Sequence, residues 1–415
     1  MKVMFLSALY APFKHGGAEK IVQTLAEEMQ ASGHAAVVVT VTPERGTSIG
    51  YVNGVKVYYV GIRNFYWPYD GSKRSSLHRF FWHLMDRNNV FMASEIGRIM
   101  TAETPDIINS HSLTGLSSAA WRAARRHGVP IAHTLHDYSL LCPKASMYNK
   151  QRNCALQCGL CKSMTAPSRA ASALVGEVIG VSEFTLQQHL RLGYFPNARH
   201  RVIYNGIPAL APQSEDRAAS MAPASSGQIR LGFVGRLAPT KGLEPFIDGL
   251  LGLGRCNWTL KIAGRGEPRY ETELKRRYEA AQVQFLGFVD PTALYQDIDL
   301  LAVPSLWEEP LATVILEAYQ FGVPVLTARR GGLPELVEHG KTGLVYDPAS
   351  ADGLSAALAG LLDNPALLTP MRVAAAQRAR HYGTARFKAE YSALFESMTC
   401  TAPALTKVAL GAAAK

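Results

Sequence analysis

The sequence predicts an α/β protein of two domains, each with a doubly wound, mainly parallel β-sheet. Short apolar runs with the length of buried strands alternate with amphipathic helical segments, as in βαβ units. This pattern begins at the N-terminus and restarts after a Pro-, Ala- and Ser-rich stretch at residues 208–228. The length of 415 residues also favours two domains, because one domain usually has roughly 100–200 residues.

The domain boundaries follow from this pattern. We expect a first domain at residues 1–207, a linker at residues 208–228 and a second domain at residues 229–398. The helix-rich residues 350–397 would close the fold, and the Ala-rich tail at residues 399–415 would be frayed. In both domains, ligand groups would lie on the loops that follow the carboxyl ends of the strands.

The composition is that of an ordinary globular enzyme, with 47% hydrophobic and 18% charged residues. The net charge of +10 favours anionic partners, such as nucleic acid, anionic lipid or a phosphorylated metabolite. No apolar run approaches the roughly 20 residues that span a bilayer. The N-terminal apolar segment resembles a weak signal peptide, but it leads into a Gly-Gly turn and an amphipathic helix instead of a cleavage site. We expect a cytoplasmic protein, either soluble or peripheral on the inner face of the membrane.

The first βαβ unit contains a site for an anion. Residues 2–9 form a buried strand, a helix extends to about Ser32, and AAVVVTV forms the next strand. Gly16 and Gly17 lie at the start of the helix, where free N–H groups and the helix dipole favour negative charge. The spacing G-x-G-x-x-G is absent here, so the turn does not imply a dinucleotide.

An unusual aromatic and basic segment follows at residues 62–92. Its apolar residues fall on one helical face, and they are Leu77, Phe80, Phe81, Leu84 and Met85. Two interpretations are open: a helix that packs on the core, or an amphipathic helix that meets the membrane or a lipid-linked acceptor. No recognisable nucleic-acid-binding module surrounds the segment, so we do not expect a nucleic-acid partner.

Two further strands, at residues 106–111 and 129–137, each carry a histidine near their carboxyl ends. Open α/β sheets place ligand groups at such positions, so His111, His136 and Asp137 are candidates for a site. A purely structural role for each histidine is the alternative.

Four cysteines lie close together in a loop of the first domain, with the spacing C-x11-C-x3-C-x2-C. They are Cys142, Cys154, Cys158 and Cys161. The final C-x2-C resembles half of a zinc knuckle, and four thiolates suffice for a tetrahedral structural zinc site. Free structural cysteines and an iron–sulfur or redox role are the alternatives, and disulfides are less expected in a reducing cytoplasm.

The second domain collects cations and glycines after its strands. Gly235 and Arg236 stand on the same strand–helix turn as Lys241 and its following glycine. This combination suits a diphosphate, which Arg can bind in a bidentate manner and Lys as a point charge. Gly264 begins a second loop, Gly-Arg-Gly, where backbone can approach a ligand closely.

Two carboxylates complete this set in the stretch PSLWEEPLATVILEAYQFGVPVLTARRGGLPE at residues 304–335. Glu309 and Glu317 are eight positions apart, a little over two helical turns, so both can point from one side of a helix and its preceding loop. Alone, such a pair is usually solvated. Next to the diphosphate loops, the carboxylates can bind hydroxyl groups of a ribose and of a sugar, and a diphosphate flanked by these two polyols is a nucleotide-sugar.

The motifs GFVGRLAPTKG, AGRG, PSLWEEP, the spaced Glu pair, GVPV and GGLPELV resemble those of retaining nucleotide-sugar glycosyltransferases of family four. The resemblance extends to GGAEKIV, HTLHD and YNGI and covers most of residues 1–345. It implies the GT-B fold: two Rossmann-like domains that face each other across a cleft, with C-terminal helices closing the fold. The first domain would bind the acceptor and the second the donor.

The resemblance also implies roles for single residues. Glu317 would bind the ribose hydroxyls and Glu309 the transferred sugar, while Arg236 and Lys241 bind the diphosphate. Gly17 would approach the donor phosphate, and His136 would contact the sugar near its anomeric centre. The implied catalytic set is His136, Arg236, Lys241 and Glu309, and the donor-binding set adds Gly16, Gly17, Gly235, Gly264, Leu311, Ala312, Thr313 and Glu317 to the last three. Many relatives have Phe-Gly where this chain has Leu311-Ala312.

The implied activity is hexosyl transfer with retention and without a catalytic metal, from a UDP- or GDP-sugar to a glycan or polyprenyl-linked acceptor. Such a reaction belongs to the synthesis of cell-surface polysaccharides or glycoconjugates. The leaving phosphate would deprotonate the acceptor hydroxyl, and Glu309 as a covalent nucleophile is the alternative. A structural zinc ion is the one cofactor considered. The rival functions are a nucleotide-sugar enzyme of another activity, such as an epimerase, and a basic protein that binds membranes or nucleic acid.

Overall fold

The computed structural model describes residues 1–401 except residues 14–15, 73, 211–226 and 281. Most of the predicted linker at residues 208–228 and most of the predicted tail at residues 399–415 therefore lie outside the described residues. No helix among the described residues is both long enough and apolar enough to cross a bilayer.

Among the described residues, the N-terminal half contains ten strands and six helices. The strands are β1 (Lys2–Leu6), β2 (Ala35–Thr42), β3 (Thr47–Val52), β4 (Val55–Gly61), β5 (Ile107–Ser110), β6 (Ile131–Leu135), β7 (Tyr148–Asn149), β8 (Arg152–Asn153), β9 (Glu177–Gly180) and β10 (Arg199–Val202). The helices are α1 (Gly17–Ala31), α2 (Ser76–Arg87), α3 (Val90–Glu103), α4 (Ala119–Arg126), α5 (Gly159–Ser172) and α6 (Glu183–Arg191). Eight strands form one sheet in the order β10-β9-β6-β5-β1-β2-β4-β3, and β7 and β8 form a separate hairpin.

The C-terminal half contains a second sheet. Its strands are β11 (Ile229–Val234), β12 (Trp258–Ala263), β13 (Val283–Gly287), β14 (Leu300–Val303), β15 (Val325–Ala328) and β16 (Gly343–Tyr346), in the order β13-β12-β11-β14-β15-β16. The helices are α7 (Leu243–Gly252), α8 (Pro268–Tyr278), α9 (Pro291–Asp297), α10 (Thr313–Gln320), α11 (Leu333–Leu336), α12 (Gly353–Asp363), α13 (Leu368–Ala379) and α14 (Thr384–Thr401). Short 3-10 turns occur at Pro239–Lys241, Pro365–Leu367 and Arg380–Tyr382.

Both sheets are parallel except for the antiparallel edge strand β3. Parallel strands are covered by helices on both faces, which explains why β1, β14 and β15 read as nearly continuous apolar runs with almost complete burial. One apolar cluster includes buried residues of both halves, such as Phe5 and Tyr319, and two further clusters lie within single halves. The predicted α/β architecture of two Rossmann-like domains is confirmed.

The strand order creates a crevice in each half. β1 lies between β5 and β2, and β11 lies between β12 and β14. The chain crosses from β1 to β2 on one side, and from its other neighbour β5 to β6 on the opposite side. The neighbours β11 and β14 are related in the same way. Ligands of open α/β sheets bind at such switch points. The turn at Gly16 follows β1, the turn at Gly235 follows β11, and Ser305 follows β14. The loops singled out from sequence therefore lie at the two switch points.

Several strands, including both strands of the β3–β4 hairpin, and one long-range packing arrangement were not anticipated. The β3–β4 hairpin turns at Asn53 and Gly54, both with positive φ, and Asn-Gly is a strong hairpin signal. The four-residue strand β16 was also missed. The last helix, α14, begins in the predicted second domain, continues to Thr401 in the predicted tail, and packs on the first half: the Tyr391 and Thr134 hydroxyls are 3.0 Å apart, and Lys388 lies 3.3 Å from Glu28.

Candidate functional site

Two helix N-termini, one from each half, approach each other. α1 begins at Gly17, and its cap Gly16 donates its N–H to Glu19 Oε2 over 2.9 Å. α10 begins at Thr313, after the buried Ala312. A Cβ atom placed on Gly17 would lie 3.2 Å from Thr313 Oγ1. Because free N–H groups and helix dipoles favour anions at both termini, a phosphate group beside this contact would be stabilised by both helices.

The glycine turns after β11 and β12 lie against each other. Gly264 has a φ of 141°, and a Cβ atom there would lie 1.8 Å from the Gly235 carbonyl oxygen. Leu237 N–H donates to the Arg265 carbonyl over 2.8 Å, which joins the two turns further along. Arg236 is exposed on the first turn. Only glycine allows the two backbones to approach this closely. The arrangement leaves the Arg236 cation at the edge of the crevice.

Lys241 and Glu309 form a half-buried ion pair. Lys241 ends the Pro239–Lys241 turn, and its Nζ lies 2.7 Å from Glu309 Oε2. The same oxygen accepts hydrogen bonds from Ser305 Oγ at 3.0 Å and Trp307 Nε1 at 2.8 Å. Glu309 is only 7% exposed, and these charge-assisted bonds compensate its desolvation. The structure thus brings together two residues that the sequence placed on different parts of the donor.

The geometry of this pair distinguishes the two carboxylate oxygens of Glu309. The three donors found among the described residues all hydrogen-bond to Oε2. Oε1 is therefore the oxygen that can accept a hydrogen bond from a ligand hydroxyl. The partners Ser305 and Trp307 were not assigned a role from sequence. Their positions within four residues of Glu309 were the only sequence signal that they could contact its carboxylate.

Glu317 lies in the second turn of α10 and is half-buried. Tyr295 OH donates to Glu317 Oε2 over 2.8 Å, and the Tyr295 ring stacks on Phe321 with centroids 5.4 Å apart. Burial and the Glu317 charge raise the pKa of Tyr295 well above its ordinary value, so the hydroxyl remains a donor. Glu317 is therefore held by a rigid partner that sequence reasoning missed. Leu311 is half-buried and packs against the apolar cluster shared by the two halves.

His136 follows β6 and pairs with His111. His111 Nδ1 and His136 Nε2 are 2.9 Å apart, and the rings stack with centroids 5.1 Å apart. Burial lowers the pKa of His136 to about 4, and burial together with the neighbouring His136 and His133 lowers the pKa of His111 well below its ordinary value. Both rings are therefore neutral near pH 7. Asp137 Oδ1 accepts the Ser139 N–H over 2.7 Å, which orients this carboxylate locally.

A carboxylate from the second half caps a helix of the first half. Glu335 accepts hydrogen bonds from the N–H groups of Glu183 at 2.7 Å and Phe184 at 2.8 Å, at the start of α6. It also accepts from Tyr204 OH at 3.1 Å. These bonds satisfy N–H groups that a helix start leaves unpaired and favour negative charge there. Nothing within either half of the sequence indicates this contact.

The loop that leads to Glu309 is also held by the first half. Asn153, at the end of the β7–β8 hairpin, donates from Nδ2 to the Leu306 carbonyl over 2.8 Å and accepts the Glu308 N–H at 3.0 Å. Trp307 packs edge-on against Tyr138 with ring centroids 6.1 Å apart. The hairpin therefore fixes residues next to Glu309.

The four predicted zinc ligands lie around this hairpin, and none of them is in a disulfide. Cys142 Sγ and Cys161 Sγ are 3.7 Å apart, and Cys158 Sγ accepts the Cys161 N–H at 3.5 Å. Cys154 is half-buried and packs against the same apolar cluster as Cys161. Within the part of the chain that the structure describes, no three His, Cys, Asp or Glu side chains already stand in a metal-holding arrangement. The zinc site stays a prediction at this point.

The fold and its facing switch points define the class as GT-B glycosyltransferases. The profile of Glycosyltransferase Family 4 matches residues 15–209, and that of Glycosyl transferases group 1 matches residues 216–382. The chain belongs to the family 4 glycosyltransferases.

Several relatives and solved structures are similar over most of the chain. An uncharacterized 42.6 kDa protein in the cps region of Klebsiella pneumoniae is 30% identical over 337 residues, which cover 81% of this chain and 87% of the relative. The sucrose-phosphate synthase structure from Thermosynechococcus elongatus has a TM-score of 0.75 at 19% identity, covering 96% of this chain and 99% of that one. Anabaena HepE in complex with UDP-glucose has a TM-score of 0.66 at 22% identity, covering 96% and 100%.

Proposed function

We propose that this chain is a retaining glycosyltransferase that moves a hexosyl group from a nucleotide-diphosphate sugar to a glycan or lipid-linked acceptor. The observation that carries the proposal is the approach of the α1 and α10 N-termini beside the Lys241–Glu309 pair. This arrangement offers positive potential for a diphosphate and a carboxylate oxygen for a neighbouring sugar. The similar structure of HepE in complex with UDP-glucose supports a nucleotide-sugar as the donor.

Each part of the donor has a partner in the proposal. The diphosphate lies beside the two contacting helix N-termini, where Arg236 supplies a further cation. The ribose hydroxyls donate to Glu317, which Tyr295 orients. A hydroxyl of the transferred sugar donates to Glu309 Oε1, and Leu311 and Ala312 line the sugar pocket. The base of the nucleotide is uracil or guanine, and a panel of UDP- and GDP-sugars distinguishes the two.

The reaction breaks the bond between the anomeric carbon and the diphosphate oxygen, and negative charge grows on the leaving group. Arg236 and Lys241 stabilise this charge, an effect that preorganised sites make worth several kcal/mol. The leaving phosphate takes the proton of the acceptor hydroxyl, which attacks from the same face. His136 remains neutral because of its lowered pKa and hydrogen-bonds the sugar near the anomeric centre.

Glu309 serves as a binding group in this mechanism. Three donors hold its Oε2 oxygen, and they lower the electron density available for covalent attack. The protein cations carry the role that a divalent metal has in other glycosyl transfers, so we propose a metal-independent reaction. Turnover in excess chelator equal to turnover without it supports this part, and a loss that added Mg²⁺ or Mn²⁺ restores refutes it.

The acceptor side is proposed to lie against an anionic membrane. The apolar face of α2 points to solvent: Leu77 is 65%, Phe81 49% and Leu84 50% exposed. The core-packing interpretation of this face is therefore wrong for these residues, whereas Trp82 on the opposite face is buried. Exposed basic side chains flank it, and an amphipathic helix with both features suits an anionic bilayer surface. The cps-region relative favours a role in surface polysaccharide synthesis.

The membrane proposal is tested by co-sedimentation with phospholipid vesicles. Binding should require anionic lipid and fall by at least about tenfold in a Phe81→Ser, Leu84→Ser variant. Phe288→Ser is the control, because Phe288 is 79% exposed on the second half. Equal sedimentation of the unaltered chain and both variants would refute a membrane role for α2. The absence of sedimentation in all of them would refute it as well.

The activity is tested with a panel of UDP-, GDP- and ADP-sugars. We expect release of nucleoside diphosphate with one donor class, and NMR of the glycoside product should show the anomeric configuration of the donor. No turnover with any donor would refute the proposal. Inversion would refute the retaining mechanism, and conversion of the donor without transfer would indicate an epimerase.

A further inference from the structure

The cysteine loop at residues 142–161 is a feature that the donor site does not explain. It lies in the connection from β6 to α5, contains the two-residue strands β7 and β8, and ends in the first turn of α5, where Cys161 stands. Four non-glycine residues in it have positive φ, Ala145, Met147, Lys150 and Gln151. Each such residue costs on the order of 1 kcal/mol, so the loop needs a strong local constraint to hold its conformation.

The first pair of cysteines has the separation that zinc requires. Two sulfurs bound to one zinc ion at about 2.3 Å stand about 3.8 Å apart along a tetrahedral edge. Cys142 Sγ and Cys161 Sγ are 3.7 Å apart. Cys142 is buried and Cys161 half-buried in the same apolar cluster, so this edge is built into the packed part of the loop.

Hydrogen bonds hold the other two cysteines in the same part of the fold. Cys158 caps the N-terminus of α5, and its sulfur accepts the Cys161 N–H at 3.5 Å, a contact that favours the thiolate. Cys154 follows β8, and its N–H donates to the Met147 carbonyl over 2.7 Å, which brings the strand back to the loop base.

All four side chains of the cluster carry thiol groups, and none of them is in a disulfide. Four groups that would repel as thiolates are stabilised together by a divalent cation, and a tetrahedral set of four sulfurs favours zinc.

We propose that Cys142, Cys154, Cys158 and Cys161 bind one structural Zn²⁺ ion, which draws the sulfurs of Cys154 and Cys158 onto the Cys142–Cys161 pair. Each thiol that forms a Zn–S bond releases its proton to solvent, and no oxidant or reductant is consumed. The ion fixes the β7–β8 hairpin. Through Asn153, the hairpin in turn holds Leu306 and Glu308, so the metal stabilises the loop that carries Glu309.

The test is the metal content of the full chain, purified with a thiol reductant and without metal-chelating resin. We expect about one zinc per chain by elemental analysis. A Cys154→Ser, Cys158→Ser variant should fall to background, whereas Cys256→Ser should keep its zinc because Cys256 lies outside the cluster on the second half. Equal zinc in all three proteins would overturn the proposal.

A second measurement on the unaltered chain covers the case in which the double variant does not fold. Exchange of the metal for Co²⁺ should give sulfur-to-cobalt charge-transfer bands and the intense visible bands of a tetrahedral ion. A brown iron–sulfur chromophore, a Cys142–Cys161 disulfide found by alkylation and mass spectrometry, or four free thiols without metal would each overturn it. These readouts do not involve sugar transfer, so they are independent of the proposed activity.

Discussion

Glu309 and Glu317 are held in different ways, and this difference separates their roles. Glu309 has three donors on one oxygen, including the charged Lys241, whereas Glu317 has the neutral Tyr295. A carboxylate with a single neutral partner keeps more capacity to accept hydrogen bonds from a ligand. Glu317 is therefore the residue whose loss should act most directly on donor binding.

We predict that Glu317→Gln lowers kcat/KM for the donor by about 100-fold, because hydrogen bonds to a charged acceptor contribute up to about 3 kcal/mol. Steady-state kinetics and thermal unfolding of the same preparation check this. Glu273→Gln on the surface of α8 is the control and should be active. An unfolded Glu317→Gln protein would make Glu317 structural, and full activity would remove it from the site.

His136 provides a prediction about pH. Its folded-state pKa of about 4 lies below the ordinary histidine value of 6.5. Between these values the unfolded chain binds a proton that the folded protein does not, so acidification through this window lowers the free energy of unfolding. His136→Gln should show a smaller acid loss than the unaltered chain, whereas exposed His200→Gln should not differ from it. Denaturant unfolding from pH 7 to 4 measures this, and identical pH profiles would contradict the buried neutral state.

At the residue scale, the sequence predicted which side chains gather but not their mutual contacts. Glu309, Lys241 and His136 were found from motifs, yet the Lys241–Glu309 ion pair joins residues 68 positions apart. Tyr295 was missed because a tyrosine in a helix–strand unit has no spacing that marks it as a carboxylate partner. Such contacts depend on how two loops pack, which no local pattern encodes.

At the scale of elements, most strands were predictable because buried parallel strands are apolar on both faces. The missed hairpin strand β3 consists of exposed and half-buried residues, so its apolar signal is weak. For α2 the amino-acid pattern predicted an apolar face without indicating what covers it. The structure leaves that face open to solvent, since Leu77, Phe81 and Leu84 are exposed.

The cap that Glu335 provides for α6 should be measurable as stability. We predict that Glu335→Ala lowers the free energy of unfolding by about 1–2 kcal/mol, because the N–H groups of Glu183 and Phe184 lose a charged acceptor. Glu338→Ala is the matched control, because Glu338 makes an exposed ion pair with Lys341. Equal denaturant midpoints for the two variants would show that the cap is unimportant.

At the scale of the whole molecule, the two halves are joined by contacts that no domain boundary indicates. α14 packs on the first sheet, Glu335 caps α6, and Asn153 holds the loop before Glu309. These contacts connect residues more than 100 positions apart. The sequence could therefore predict two domains facing a crevice but not which side chains fix them together.

The central claim is that the crevice binds a nucleoside diphosphate through both helix N-termini and Arg236. Calorimetric titration with UDP, GDP and ADP tests it most directly, with Arg236→Ala and the exposed control Arg269→Ala beside the unaltered chain. We expect at least one of the three nucleotides to bind, with an affinity about 10–100-fold weaker in Arg236→Ala and unchanged in Arg269→Ala. Absence of binding for all three nucleotides, or equal affinity in all three proteins, would contradict the account.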